Sequence, residues 1–178
     1  MSKNKTGFKS ARVLTTAAMI TALSVIIGIF CKNFFTYSVY YRITFENLPI
    51  IISGILLGPI AGAVCGICAD VISCLCSTNP AVNPIITAGA ACVGFCAGAV
   101  PRLFIRKRGP AQYAAAVFSA HLLGQVIIKS VAKIIWFGMP WWGVFIGLGI
   151  SAVVGALEFC AIKWLMDKVK IGDRFERL

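Results

Sequence analysis

The chain has 178 residues, of which 59% are hydrophobic and only 13% charged, and its mean hydropathy is +0.88. A soluble domain carries about 25% charged residues, because its surface must face water. This composition excludes an ordinary soluble domain and predicts several membrane-spanning helices, each needing about 20 apolar residues. The length fits one membrane domain over residues 1–178 and leaves no room for a soluble second domain.

The chain is strongly basic, with a formal charge of +11, and its Lys and Arg residues gather in three clusters. The clusters lie at residues 3–12, 102–108 and 163–177, with long apolar stretches between them. This distribution is typical of the cytoplasmic loops of a membrane protein. We predict no nucleic-acid partner, because no basic face interleaved with aromatic residues exists outside the apolar stretches. The lipid bilayer is the predicted partner instead.

Six apolar segments follow one another along the chain, and we predict that each spans the bilayer. Their bounds are 11–31, 45–57, 60–76, 85–104, 111–137 and 143–166. Gly58 and Pro59 separate the second segment from the third, and two prolines and two asparagines within residues 77–84 favour a loop. With six spans all three basic clusters fall on one side, so both termini are predicted to be cytoplasmic. Five or seven spans would place one cluster outside.

Ionisable residues inside or beside the apolar segments are the candidates for function, because a charge in hydrocarbon is costly. They are Arg42, Glu46, Asp70, His121, Lys129, Lys133 and Glu158. Asp70 lies midway along the third segment, so we expect it to accept hydrogen bonds or a cation from a neighbouring helix, such as Arg42 or Lys129. Glu158 is expected to have a structural role, with Lys163 or hydroxyls of the first segment as its partner.

The fifth segment carries polar residues at helical spacing. His121, Gln125, Lys129, Lys133 and Trp136 are predicted to form one face of a helix. Lys129 lies about two turns in from the outer end, so it needs either a protein carboxylate or a ligand anion. The alternative is that the lysines snorkel to the interface and the tryptophan belongs to an aromatic belt.

Cations, aromatic rings and asparagine amides meet on the predicted outward side of the protein. Such a set suits a small molecule with flat rings and negative charge. The sequence has no phosphate-binding loop, no zinc-protease motif and no nucleophile elbow. We therefore predict a binding protein rather than an enzyme, with no cofactor and no bound metal.

Two motifs in the second and third segments resemble those of a known family. They are R-x-x-F-x-x-L-P at residues 42–49 and G-P-x-x-G-x-x-x-G-x-x-x-D at residues 58–70. The runs at residues 83–91 and 129–133 extend the likeness over most of the chain. On these residues the chain resembles the substrate-binding S components of energy-coupling factor (ECF) vitamin transporters, and within them the folate-specific ones.

The resemblance implies a bundle of six transmembrane helices, in a multi-pass protein of the cell membrane, that captures a vitamin from outside. It also implies docking on one membrane coupling protein and two cytoplasmic ATPase subunits. In this family an Ala-x-x-x-Ala motif on the first helix packs against the coupling protein, and Ala18 and Ala22 match it. Two small residues on one face allow a partner helix to approach closely. Packing within the bundle is the alternative.

A folate ligand would give the outward-facing residues distinct roles, because folate has a pterin ring and two carboxylates. The expected contacts are Arg42, Lys129 and Lys133 at the carboxylates, Phe34, Tyr41 and Trp136 at the pterin faces, and Asp70 or Asn83 at the amino and ring N–H edge. Arg42 and Glu46 are four residues apart and could instead pair with each other.

Other ligands and one other class of protein stay open at this point, whereas an enzyme acting on lipid is disfavoured because the sequence has no catalytic pair. Pantothenate, a queuosine precursor and riboflavin are alternative substrates; pantothenate lacks a ring, and the queuosine precursor needs fewer cations. A structural membrane protein without a ligand is the second class. It predicts no outward pocket and leaves Lys129 and Asp70 without a purpose.

Overall fold

The structure is a computed structural model that describes residues 11–34, 44–77, 82–105 and 109–169. These residues form six helices and no strand. They are α1 (Ala11–Phe34), α2 (Asn47–Leu57), α3 (Pro59–Leu75), α4 (Pro84–Phe104), α5 and α6 (Gly143–Val169). Helix α5 runs without a break through an α-helical segment (Pro110–Ser119), a π-helical segment (Ala120–Ile128) and a second α-helical segment (Lys129–Phe137).

The helix boundaries follow from local sequence signals. Gly58 adopts φ +110° between α2 and α3, and Pro59 opens α3. Glycine reaches this φ without steric cost, and proline suits a first turn because its missing N–H would have no partner there. Asn83 caps α4, its side-chain oxygen accepting a hydrogen bond from the Ile85 N–H at 3.0 Å. Gly138, with φ +64°, ends α5.

The predicted all-helical membrane architecture is confirmed, whereas the number of crossings stays a prediction. Four helices are long and apolar enough to span a bilayer, namely α1, α4, α5 and α6. At about 1.5 Å per residue, α2 rises about 16 Å and α3 about 25 Å, less than the hydrocarbon thickness of about 30 Å. Helix α1 continues to Phe34, three residues beyond its predicted end, so Lys32 lies on a helix rather than in a loop.

Helices α2, α3 and α4 form the tightly packed centre of the bundle, and small residues allow it. A Cβ added at Gly62 or Gly94 would collide with the backbone of the facing helix, and Gly66 lies equally close to the backbone of Ala90. Small residues at helix interfaces permit such close approach in membranes. By contrast, α1 and α6 each expose six large apolar side chains, as helices that face lipid do.

Candidate functional site

A cluster of buried charges lies at one end of the bundle. Lys32 on α1 places its Nζ 3.5 Å from Asp70 Oδ1 and 3.7 Å from Glu46 Oε2. Lys32 Nζ also donates to Ser73 Oγ on α3. At most 6% of each of the three charged side chains is exposed. A buried lysine is stable only if carboxylates and hydrogen-bond acceptors surround it, and this one has both.

Lys129 on α5 joins the same cluster through Glu46, its Nζ lying 3.9 Å from Glu46 Oε1. Glu46 thus lies between two lysines that come from different helices. Thr87 on α4 donates its hydroxyl to Asp70 Oδ2 at 2.8 Å. Two lysines and two carboxylates balance in formal charge. Together with Thr87 they connect the end of α1, the start of α2, the later part of α3, the start of α4 and the middle of α5.

A small polar pocket of about 50 Å³ opens between the π-helical and second α-helical segments of α5, the first half of α6 and Thr44. Six of its ten lining residues are polar: Thr44, His121, Gln125, Ser130, Lys133 and Ser151. One cation, several hydroxyls and an amide converge there. Such a lining suits an anionic or strongly hydrogen-bonding group of a ligand.

His121 links the pocket to a buried carboxyl group. Its Nδ1 lies 2.9 Å from Ser151 Oγ and its Nε2 lies 2.8 Å from Glu158 Oε2. Glu158 is completely buried, and His121 is 7% exposed. The predicted partners of Glu158 were wrong. Lys163 is exposed, and Glu158 pairs with His121 of α5 instead of with Lys163 or with hydroxyls of the first segment.

The predicted single face of the fifth segment is broken in the structure. His121, Gln125 and Lys133 line the pocket, but Lys129 packs its aliphatic chain on Gly89 and turns to Glu46, and Trp136 is 60% exposed. The cause is the π-helical segment. A π-helix bonds i to i+5 and so holds more residues per turn, and a face drawn at α-helical spacing does not continue through it.

The remaining predicted site residues are distributed over several places. Asp70 has a cation partner, as expected, but this cation is Lys32 and not Lys129. Asn83 caps α4, and Phe34 is 73% exposed and stacks on Phe30 with ring centroids 4.8 Å apart. Neither Asn83 nor Phe34 lines the pocket. Arg42 and Tyr41 lie outside the described residues.

Lys32 and Ser151 are the candidate residues that sequence reasoning missed. Lys32 directly follows an apolar run, where a lysine that snorkels to the interface looks the same in the sequence. Ser151 is one of several small residues in a lipid-facing helix. Only the three-dimensional contact with His121, 30 positions away, sets it apart.

An apolar groove of about 530 Å³ runs between α1 and α3 on the outer surface of the bundle. Ala18 and Ala22 line it together with Val64 and Cys68 of α3. Both alanines are exposed, whereas their neighbour Ala17 is buried. The alanine pair therefore faces away from the bundle, toward lipid or a partner, and not into the internal packing.

A helical membrane bundle with a polar pocket and a buried ionic cluster defines a class: a membrane-embedded protein with a site that suits a small polar ligand. Residues 12–167 match the family model described as "ECF transporter, substrate-specific component", and the chain belongs to this family. The predicted family is thereby confirmed. It is a family of transporter components and not of enzymes.

Among solved structures, the chain is similar to the one titled "Crystal structure of FolT bound with folic acid". The TM-score is 0.73 at 18% sequence identity, over 91% of this chain and 96% of that one. At this identity the likeness shows the fold. No curated protein matches the sequence.

Proposed function

We propose that this chain is the folate-binding component of an ECF importer: it captures folate from outside the cell and delivers it through a partner complex. The observation that carries the proposal is the polar pocket with Lys133, in a chain of this family whose fold is similar to that of a protein bound to folic acid. The pocket and the ionic cluster lie at the end of the bundle that the distribution of basic residues predicts to face outward.

The pocket favours a carboxylate as the group it receives. Its volume of about 50 Å³ holds one end of a vitamin and not the whole molecule. The Lys133 ammonium supplies a positive charge, and Gln125 and Ser130 supply hydrogen-bond donors. Folate carries two carboxylates on its glutamate end, so this end is proposed to enter the pocket. Arg42 and Tyr41 remain proposed contacts for the rest of the ligand.

Lys133 is a stronger candidate for the ligand cation than Lys129. A protein carboxylate lies within 4 Å of Lys129, and such a carboxylate was one of the two partners predicted for this lysine. Lys133, by contrast, lines the pocket. Asp70 and Asn83 have protein partners as well, so we assign them a positioning role around the site. Phe34 and Trp136 would stack on the pterin only if the bound state brings the ring to their exposed faces.

The groove between α1 and α3 supports docking on a membrane coupling protein. Its two exposed alanines allow a partner helix to come close, and its apolar lining suits a contact within the bilayer. We propose that the coupling protein binds here and that two cytoplasmic ATPases drive transport. Six crossings with both termini in the cytoplasm belong to the same proposal.

A competition titration separates folate from the other candidate ligands. Purified full-length protein is titrated with folic acid, pantothenate and riboflavin, each alone and then against bound folic acid. Binding of folic acid alone supports the proposal, since only folic acid joins two carboxylates to a flat ring. Tight binding of pantothenate or riboflavin, with none of folic acid, would replace the substrate while leaving the transporter class intact.

A further inference from the structure

Ser151 lines the pocket and also contacts a buried histidine, and this contact determines whether its hydroxyl can donate a hydrogen bond into the pocket. Its Oγ lies 2.9 Å from His121 Nδ1, and the other ring nitrogen of His121 lies 2.8 Å from the Glu158 carboxyl group. Ser151 lines the pocket, and Glu158 is completely buried behind the histidine. The three groups form a chain of hydrogen bonds from the interior of the bundle to the pocket.

The number of protons on the His121–Glu158 pair decides the direction of the Ser151 hydroxyl. With Nδ1 unprotonated, the hydroxyl donates to the ring, and only serine lone pairs face the pocket. With one more proton on the pair, held between Nε2 and the Glu158 oxygen that faces it, the ring carries N–H at Nδ1. Nδ1–H then donates to Ser151 Oγ, and the hydroxyl hydrogen is free to point into the pocket.

The surroundings favour the pair that holds this proton. Without it the pair has a net negative charge in the bundle interior, and Glu158 Oε1 is buried with no hydrogen-bond partner within the described part of the chain. An isolated buried carboxylate is costly to keep charged. The other charged groups around the pair are Lys129 and Glu46, which lie 3.9 Å from each other, and Lys133, which lines the pocket.

We propose that Ser151 is a specificity-determining residue that donates a hydrogen bond to an oxygen of the ligand, and that His121 and Glu158 are positioning residues that hold it as a donor. The inference rests on the proposed function, because it names the group that Ser151 and Lys133 bind together. A hydroxyl donor beside an ammonium group fits a carboxylate and disfavours a ligand that presents N–H groups at this point.

The first test needs no ligand and uses the single histidine of the chain. Full-length protein labelled with ¹⁵N-histidine gives ring nitrogen signals from His121 alone. The proposal predicts a protonated Nδ1 at neutral pH, and the Glu158→Gln variant should shift these signals. A bare Nδ1 in the wild-type protein would overturn the proposal, whatever ligand the pocket takes.

The second test measures folic acid affinity at several pH values between about 5 and about 8, the range in which histidine changes charge. Loss of the shared proton turns Ser151 into an acceptor facing a carboxylate, so wild-type affinity should fall as the pH rises. Ser151→Ala should bind about 10-fold more weakly at the acidic end and should lose this part of the pH dependence. Ser151→Thr keeps the hydroxyl and should keep the profile.

Thr15→Ala is the matched control, because it removes an exposed hydroxyl from α1 that does not line the pocket. Unchanged affinity of Ser151→Ala, or a loss that leaves the wild-type pH dependence in place, would contradict the role of Ser151. Failure of the wild-type protein to bind folic acid would instead overturn the proposed function. The NMR result on Nδ1 distinguishes that failure from failure of the inference.

Discussion

Two lysines one helical turn apart on α5 have different surroundings. Lys129 is 6% exposed and has Glu46 within 4 Å, whereas Lys133 is half-buried and lines the pocket. The sequence alone does not distinguish the two lysines, because both belong to the same polar pattern at helical spacing. Position in the fold therefore separates a lysine beside a buried carboxylate of the bundle from a lysine that lines the pocket.

Replacing Lys133 should weaken ligand binding. Lys133→Ala removes the cation from the pocket, and truncating one side of a buried charge pair costs about 2–5 kcal/mol. Because Lys133 is only half-buried, we expect the lower end, a loss of about 30-fold in affinity for folic acid by calorimetry. Lys163→Ala, an exposed lysine on α6, is the control and should bind like the wild type. Equal affinities of the two variants would remove Lys133 from the site.

Replacing Glu46 should destabilise the folded bundle. Glu46→Ala removes a carboxylate that lies beside both Lys32 and Lys129. Breaking a buried ion pair in this way costs about 3–5 kcal/mol. Unfolding in detergent, followed by helical circular dichroism, measures the loss. Asp167→Ala, which removes an exposed carboxylate from α6, should change stability by less than about 0.5 kcal/mol. Similar stability of both variants would show that the cluster is not a structural element.

The residues of the site could be predicted only in part. Asp70 and Lys129 were identified because a charge within a long apolar run is costly wherever the run folds. Lys32 was not identified, because a lysine at the end of such a run can place its charge at the membrane interface at little energetic cost. The pairing of His121 with Ser151 and Glu158 joins residues 30 and 37 positions apart, and no local pattern encodes it.

At the scale of single helices, the boundaries marked by proline, glycine or a cap were predictable and the faces were not. Proline, glycine and the Asn83 cap mark the starts of α3, α4 and α5, and the predicted and observed bounds of these helices agree within one residue. The predicted face of α5 was wrong, because no feature of the sequence of residues 120–128 predicts a π-helical segment. Such segments are rare and often lie at functional sites, and here the segment carries pocket residues.

The contact between α3 and α4 should be sensitive to a single methyl group. A Cβ at Gly94 would collide with the backbone of Gly62, which cannot move without separating the helices. Overpacking of this kind typically costs about 1–3 kcal/mol, so Gly94→Ala should unfold at a lower temperature. Gly149→Ala on α6 is the matched control, because a Cβ there meets no atom within 4 Å. If the two variants unfold alike, the close approach of α3 and α4 is wrong.

The alanine pair on α1 should be needed for transport but not for ligand binding. Ala22→Trp fills the apolar groove and should block a partner helix, abolishing uptake of labelled folic acid in cells that express the complete transporter. Titration of the purified variant should give the wild-type affinity. Leu23→Trp places the same side chain at an exposed position outside the groove and should transport normally. Normal uptake by Ala22→Trp would rule out docking at this face.

For the whole molecule, composition and charge were informative because the bilayer constrains them so strongly. A charged fraction of 13% requires a lipid-facing surface, and the family motifs at residues 42–49 and 58–70 identified the transporter family over most of the chain. The short helices α2 and α3 show what composition does not determine. Apolar runs of 11 and 17 residues predict helices without defining how they cross the membrane.

The central claim is that this bundle binds folate, and one titration tests it most directly. Purified full-length protein in detergent is titrated with folic acid in a calorimeter. The proposed function predicts saturable binding of about one folic acid per chain with a Kd well below about 1 μM, a binding free energy beyond about −8 kcal/mol. No heat of binding for folic acid or a reduced folate, from a protein shown to be folded by its helical circular dichroism, would contradict it.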